Sequence, residues 1–191
     1  MTVVVITPPT PFISREEAKR HIIVEHDDDD QLIDSFVAAA CAWLDGPAGW
    51  LGRAIGVQEL EFSGWLGCAR IPMPFPPSLE VVSITARDTD GNVVTADPDT
   101  YTLDAGSVVV SPGASWVAME DHRIRYWAGY GEKTGAPAAW STKDVPPPIK
   151  VAALMMAAQW FRNRGPVVIG GSVEQLPFGV EALLSPYRVY R

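Results

Sequence analysis

The chain has 191 residues and a formal net charge of −8, which argues against a surface built to grip DNA or RNA, since such surfaces neutralise phosphates with Lys and Arg. Apolar residues make up 47% and charged residues 20%, enough for one substantial core, and the length fits one domain or one domain with an insertion rather than two independent ones. The 17 prolines and 16 glycines are scattered between apolar segments, so they mark turns in a folded chain rather than disorder.

Met1 to Ile6 is apolar but lacks a basic flank and runs into Thr7-Pro8-Pro9-Thr10-Pro11, so it fails as a secretory signal. Ser14-Arg15-Glu16-Glu17 is a capping box that starts a short helix carrying Ala18, Ile22 and Ile23. After the acidic run Asp27 to Asp30, apolar residues at Leu32, Ile33, Phe36, Val37, Ala40, Cys41 and Leu44 fall three and four apart. That spacing predicts a second helix ending near Gly46-Pro47.

From Val57 to Tyr130 the period changes. Alternation over 57–62 and the runs Val81 to Thr85, Thr100 to Leu103, Ser107 to Val110 and Arg123 to Trp127 predict strands, with Asp90-Gly91 as a hairpin turn. Pro146-Pro147-Pro148 then opens a third helix over Ile149 to Arg164, because proline is tolerated at a helix start. Its apolar residues Val151, Leu154, Met155, Met156, Trp160 and Phe161 point in every direction, which predicts burial in the core or against a neighbouring subunit. The apolar run from Val151 to Phe161 is too short for a bilayer, which needs about 20 residues, so a soluble protein made in a cytoplasm is expected. A last amphipathic stretch, Gly179 to Leu184, precedes the tail Pro186, Tyr187, Arg188, Val189, Tyr190 and Arg191. The tail reads as a flexible docking element, since Tyr and Arg are enriched at binding hot spots.

Segregated helices and strands predict an α+β fold. Segments 1–56 and 146–191 would form a helical bundle, with an antiparallel β unit inserted at 57–130 and a connecting loop at 131–145.

Few residues suggest chemistry. His21, His26 and Asp27 to Asp30 could form a metal or acid-base site, but their spacing matches no binding loop, and carboxylates before a helix also offset its dipole. His122 stands alone, and Gly129-Tyr130-Gly131 reads as a turn because it lacks the context of a phosphate loop. Trp50, Trp65, Trp116, Trp127 and Trp140 fit either core packing or a carbohydrate-binding β module. Cys41 and Cys68, both in apolar sequence, are expected as buried reduced thiols. No catalytic residue, cofactor or metal site is assigned.

In this order the segments resemble the head-tail connector (adaptor) family of long-tailed bacteriophages and gene transfer agents. The matching features begin with Ile6-Thr7-Pro8-Pro9, then Ser14-x-x-Glu17-Ala18-Lys19, and the 27–30 acidic run leading into Leu32-Ile33-Asp34-Ser35-Phe36. Next come Ile71-Pro72-Met73-Pro74, Pro76 to Ile84, Asp88-x-Asp90-Gly91, and Tyr101 with Leu103. Tyr126-Trp127-Ala128-Gly129-Tyr130-Gly131, Val145 to Lys150, Trp160 to Arg164 and Leu176 to Val189 complete the set. The chain departs from the pattern at Asp45-Gly46-Pro47-Ala48-Gly49-Trp50, which interrupts a helix that such proteins often continue towards Gly52-Arg53.

The resemblance implies a homo-oligomeric ring, usually a dodecamer, in the neck of a virion or phage-like particle assembled in a bacterial host. Portal protein would lie on one side and a stopper or tail protein on the other, with DNA passing through without sequence-specific binding and no membrane involved. A closed ring needs two different complementary faces on each subunit, and the third helix offers apolar surface for one of them. Alternatives are a stopper or tail-completion protein of the same neck, a metal-dependent enzyme built on His21, His26 and Asp27, or the carbohydrate-binding module.

Overall fold

The computed structural model describes residues 2–64, 69–135, 139–163 and 178–190. The fold is α+β, with one hydrophobic cluster among helices and a second between sheets. Helix α1 (Arg15–Ile22) begins with the capping box. Glu17 N–H donates to Ser14 Oγ at 3.1 Å and Ser14 N–H to Glu17 Oε2 at 3.0 Å, an arrangement that contributes about 1 kcal/mol. Helix α2 (Asp30–Leu44) buries Ile33, Val37, Ala40 and Leu44 along one stripe. Helices α3 (Pro147–Arg162) and α4 (Phe178–Leu184) complete the layer, α3 packing on α1, α2 and α4.

Among the described residues, the largest sheet runs β1 (Thr2–Thr7), β2 (Gln58–Ser63), β8 (Glu120–Ala128), β4 (Ser78–Arg87) and β5 (Val93–Thr95), antiparallel throughout. Leu60 and Phe62 of β2, Ile84 and Ala86 of β4, and Ile124 and Tyr126 of β8 are buried on its inner face. A three-stranded sheet of β3 (Arg70–Pro72), β7 (Ser107–Val110) and β6 (Tyr101–Asp104) supplies Ile71 and Val108 to the same cluster. The outer face carries charge: Glu61 stands opposite Arg125 in register and bonds it at 2.8 Å, and Asp121 accepts from Arg87 at 3.1 Å. The turn at Asp90-Gly91 forms between β4 and β5, held by Asp88 Oδ1 accepting from Asp90 N–H and Asn92 N–H.

Two segments differ from expectation. Thr2 to Thr7 lies within the part read as helical, yet it forms the edge strand β1, paired with β2. All six of its residues are β-branched, which suits a pleated surface better than a helix. The segment 131–145, read as a loop, holds a hairpin of β9 (Gly131–Gly135) and β10 (Ala139–Thr142). Its glycines and alanines hid the alternation that marks a strand.

The layers are joined at the end of α2. Asp45 follows the last helical residue in extended conformation, so the helix stops at Leu44 and the chain turns back through 46–57 to enter β2.

Candidate docking surfaces

The tail is not free over its described length. Ser185–Tyr187 forms a short 3-10 turn after α4. Val189 N–H then donates to Leu51 O at 2.8 Å, and Arg53 Nε donates to Tyr187 O at 2.7 Å. Gly52, at φ +66, allows this approach, because a Cβ there would lie 2.6 Å from Val189 O. The second half of the Arg53 guanidinium bonds Tyr130 Oη, so one cation ties the tail to the turn after β8. Tyr187 packs against the helical cluster, and Tyr190 is 75% exposed. The flexible tail expected from the sequence is therefore an anchored strap over 185–190, and Arg191 lies outside the described residues.

Within the strap, the Arg188 guanidinium lies 4.0 Å from the Trp50 ring centre and 4.9 Å from that of Tyr190. Trp50 is stacked on Trp43, with ring centres 5.6 Å apart and planes within 16°. Cation-on-ring contacts of this kind contribute about 0.5–1 kcal/mol at exposed sites.

Helix α3 departs from the expected all-round burial. Ile149, Ala152, Ala153, Met156, Ala157 and Ala158 are its buried residues, and the small side chains let the neighbouring helices approach closely. Of the residues singled out by sequence, Met156 is in the core, while Leu154, Met155, Trp160 and Phe161 are partly buried at its margin and Val151 is 41% exposed. The large apolar side chains thus surround an alanine face instead of filling the centre. Part of this apolar margin remains open to solvent.

The acidic turn between α1 and α2 is an ion-pair cluster. Lys19 Nζ donates to Asp27 at 2.6 Å and Asp30 at 2.8 Å, and Arg15 pairs with Asp30 and Asp34. The Lys19 ammonium holds the Asp27 carboxyl below its ordinary range, and Arg15 does the same for Asp34. His21 is exposed, and His26 Nδ1 reaches only Asp28, at 3.8 Å. Among the described residues no three His, Cys, Asp or Glu side chains converge as metal ligands.

The other candidates have structural partners. Buried His122 meets Trp116 O through Nε2 at 2.9 Å, and Trp116 Nε1 donates to Thr100 Oγ1 at 3.0 Å. Trp127 and Trp140 pack together at 6.1 Å. Gly129, at φ +125, lies against Gly56, where a Cβ would come within 2.5 Å of the Gly56 carbonyl oxygen. The Gly129-Tyr130-Gly131 segment is thus where the sheet crosses the α2–β2 connection. Cys41 is a free thiol that burial pushes up to about 12, so it stays protonated at neutral pH; Cys68 and Trp65 lie outside the described residues.

Asp45 had no motif to mark it. Its carboxylate is buried and accepts from Ile55 N–H at 2.7 Å, Gly56 N–H at 2.9 Å and Gln58 Nε2 at 2.9 Å. Burial pushes it up to about 6 against the pull of those donors. It borders an apolar groove of about 630 Å³ between β1 and α2, whose lining includes Val5, Pro11, Val37 and Cys41. Its place at the Asp45-Gly46-Pro47 break, directly after a helix and thirteen residues before the next strand, is a weak sequence signal for this hub.

No family model matches the chain, and no curated protein matches it. Solved structures share its fold, among them the following three. A chain in a structure described as the neck of an empty gene transfer agent particle, computed with C6 symmetry, superposes with a TM-score of 0.73 at 21% identity. One in the virion of a native gene transfer agent particle gives 0.72 at 21%, and one in the neck of a native particle computed with C12 symmetry gives 0.70 at 20%. Each likeness covers 100% of this chain and 97% of the other. The whole chain therefore has the fold of chains found in gene transfer agent particles.

Proposed function

We propose that this chain is a structural subunit of a particle neck, a head-tail connector whose ring sits beneath the portal, prolongs the DNA channel and receives the stopper or tail protein. The observation that carries this reading is the full-length likeness to chains from particle necks, with almost no unmatched residue on either side. A dodecamer is compatible with both imposed symmetries, whereas a six-membered ring is compatible with C6 alone.

The surfaces support assembly. The apolar margin of α3 around Val151 supplies one contact face, and the strap from Pro186 to Arg191 supplies the portal contact. The net charge of −8 suits a channel that passes DNA without holding it. No catalytic role is assigned: Asp27 and Asp30 pair with Lys19, His122 bonds Trp116 O, and Trp127 packs on Trp140.

Mixing the purified chain with portal protein, and separately with stopper and tail-completion proteins, tests the assignment by co-migration and electron microscopy. Ring formation on portal is the expected result. Binding only to tail-side components would make the chain a stopper or tail-completion protein instead.

A further inference from the structure

We infer that the Trp50–Arg188–Tyr190 cluster is a docking site that reads a single acidic side chain, Asp or Glu, on a partner polypeptide. The inference rests on the docking role proposed for the strap and specifies what that strap recognises. Arg53 and Arg188 flank the same backbone contact, but they are used differently. Arg53 spends its donors inside the subunit, on Tyr187 O and Tyr130 Oη. Arg188 lies against two aromatic rings, and its guanidinium meets no hydrogen-bond or ion-pair acceptor among the described residues.

An arginine packed on aromatic rings without an acceptor keeps its planar fork of donors available, and that fork matches a carboxylate in bidentate geometry. Anchoring of the backbone on either side, through Tyr187 O and Val189 N–H, has already restricted the segment before any partner arrives. Such preorganisation lowers the entropic cost of binding. The surrounding Trp43, Trp50 and Tyr190 add the aromatic surface typical of a hot spot.

The charge pattern selects the ligand class. Nucleic-acid backbones are held by several cations acting together, and of the two described guanidinium groups at this contact only Arg188 lacks an acceptor, in a chain of net charge −8. One carboxylate flanked by apolar side chains complements this site, whereas a polyphosphate would meet repulsion from the rest of the surface.

The test uses the full chain and the NMR resonances of the Arg188 guanidinium and Val189 amide. The probes are acetyl-Leu-Glu-Leu-amide, its Gln counterpart and a short single-stranded oligonucleotide. The Glu peptide is expected to shift the Arg188 resonance with at least tenfold higher affinity than the Gln peptide. Followed on the Trp50 indole N–H, which all three chains share, Arg188→Gln removes that preference, and Arg188→Lys restores only a small part of it because an ammonium lacks the planar fork. Retained protection of the Val189 amide from hydrogen exchange in both variants verifies that its bond to Leu51 O, and so the strap, remains in place.

Equal response to the Glu and Gln peptides, response to the oligonucleotide alone, or no response of the wild-type chain would each overturn the inference. These arms involve no portal protein, so their failure would leave the connector assignment standing. Conversely, failure of the chain to assemble on portal would leave the carboxylate preference as measured.

Discussion

Replacing Asp45 by Asn should change how stability depends on pH. The carboxylate sits where α2 hands the chain to β2, with three donors pulling its pKa down and burial pushing it up to about 6 from an ordinary value of 3.8. Because the folded-state value is the higher one, the folded chain retains a proton between about pH 4 and 6 that the unfolded chain has released. This contribution is fully present below the unfolded value and is lost as pH rises through the folded one. At 1.36 kcal/mol per pKa unit, the loss is about 3 kcal/mol. Asparagine cannot titrate, and every other carboxylate is common to both chains. The stability of wild type minus that of Asp45→Asn should therefore fall by about 2 kcal/mol between pH 4 and pH 7, most of the full loss. Urea unfolding followed by tryptophan fluorescence at several pH values measures it. A difference that is flat with pH would refute the reasoning and show that the three donors balance burial, and one that rises would show that they outweigh it.

Gly129→Ala should destabilise the subunit by at least about 2 kcal/mol, since φ is +125 and the new Cβ would approach the Gly56 carbonyl to 2.5 Å; a melting temperature unchanged from wild type would contradict the close approach. On α3, Ala153→Leu overpacks a fully buried position and should cost about 1–3 kcal/mol. Val151→Asp, on the open side, should leave urea stability within about 0.5 kcal/mol while reducing ring formation on portal. Sedimentation with and without portal separates these two effects, and equal loss of folding in both would remove the distinction between the faces of α3. Deleting 186–191 removes the Leu51 and Arg53 contacts as well as the docking residues. It should lower stability by about 1–2 kcal/mol and weaken portal attachment, and attachment equal to wild type would refute the role of the strap.

Local signals read true where a short stretch of chain decides the outcome. The capping box at Ser14 and Glu17, the stripe Ile33–Val37–Ala40–Leu44 and the stop before Gly46-Pro47 all depend on neighbours within a turn or two, and they appear as expected. Misreadings arose where distant residues decide. Thr2 to Thr7 could be placed in a sheet only by knowing that β2, over fifty residues later, would pair with it. The strap looked free because its anchors, Leu51 and Arg53, lie more than 130 residues away in sequence. Helix α3 looked uniformly buried because large apolar residues are spread round it, yet its buried positions, where it packs among α1, α2 and α4, are mostly alanines. Asp45 stood out only as the start of a helix break, because a buried carboxylate is defined by the amides that meet it, and those come from the fold.

Electron cryomicroscopy of particle necks assembled with and without this chain tests the connector assignment most directly. One ring of twelve-fold symmetry is expected directly beneath the portal, present only when the chain is supplied, with this α+β fold fitting each subunit density. A portal-proximal ring that persists without the chain, or density for the chain confined to the tail side of the neck, would contradict it.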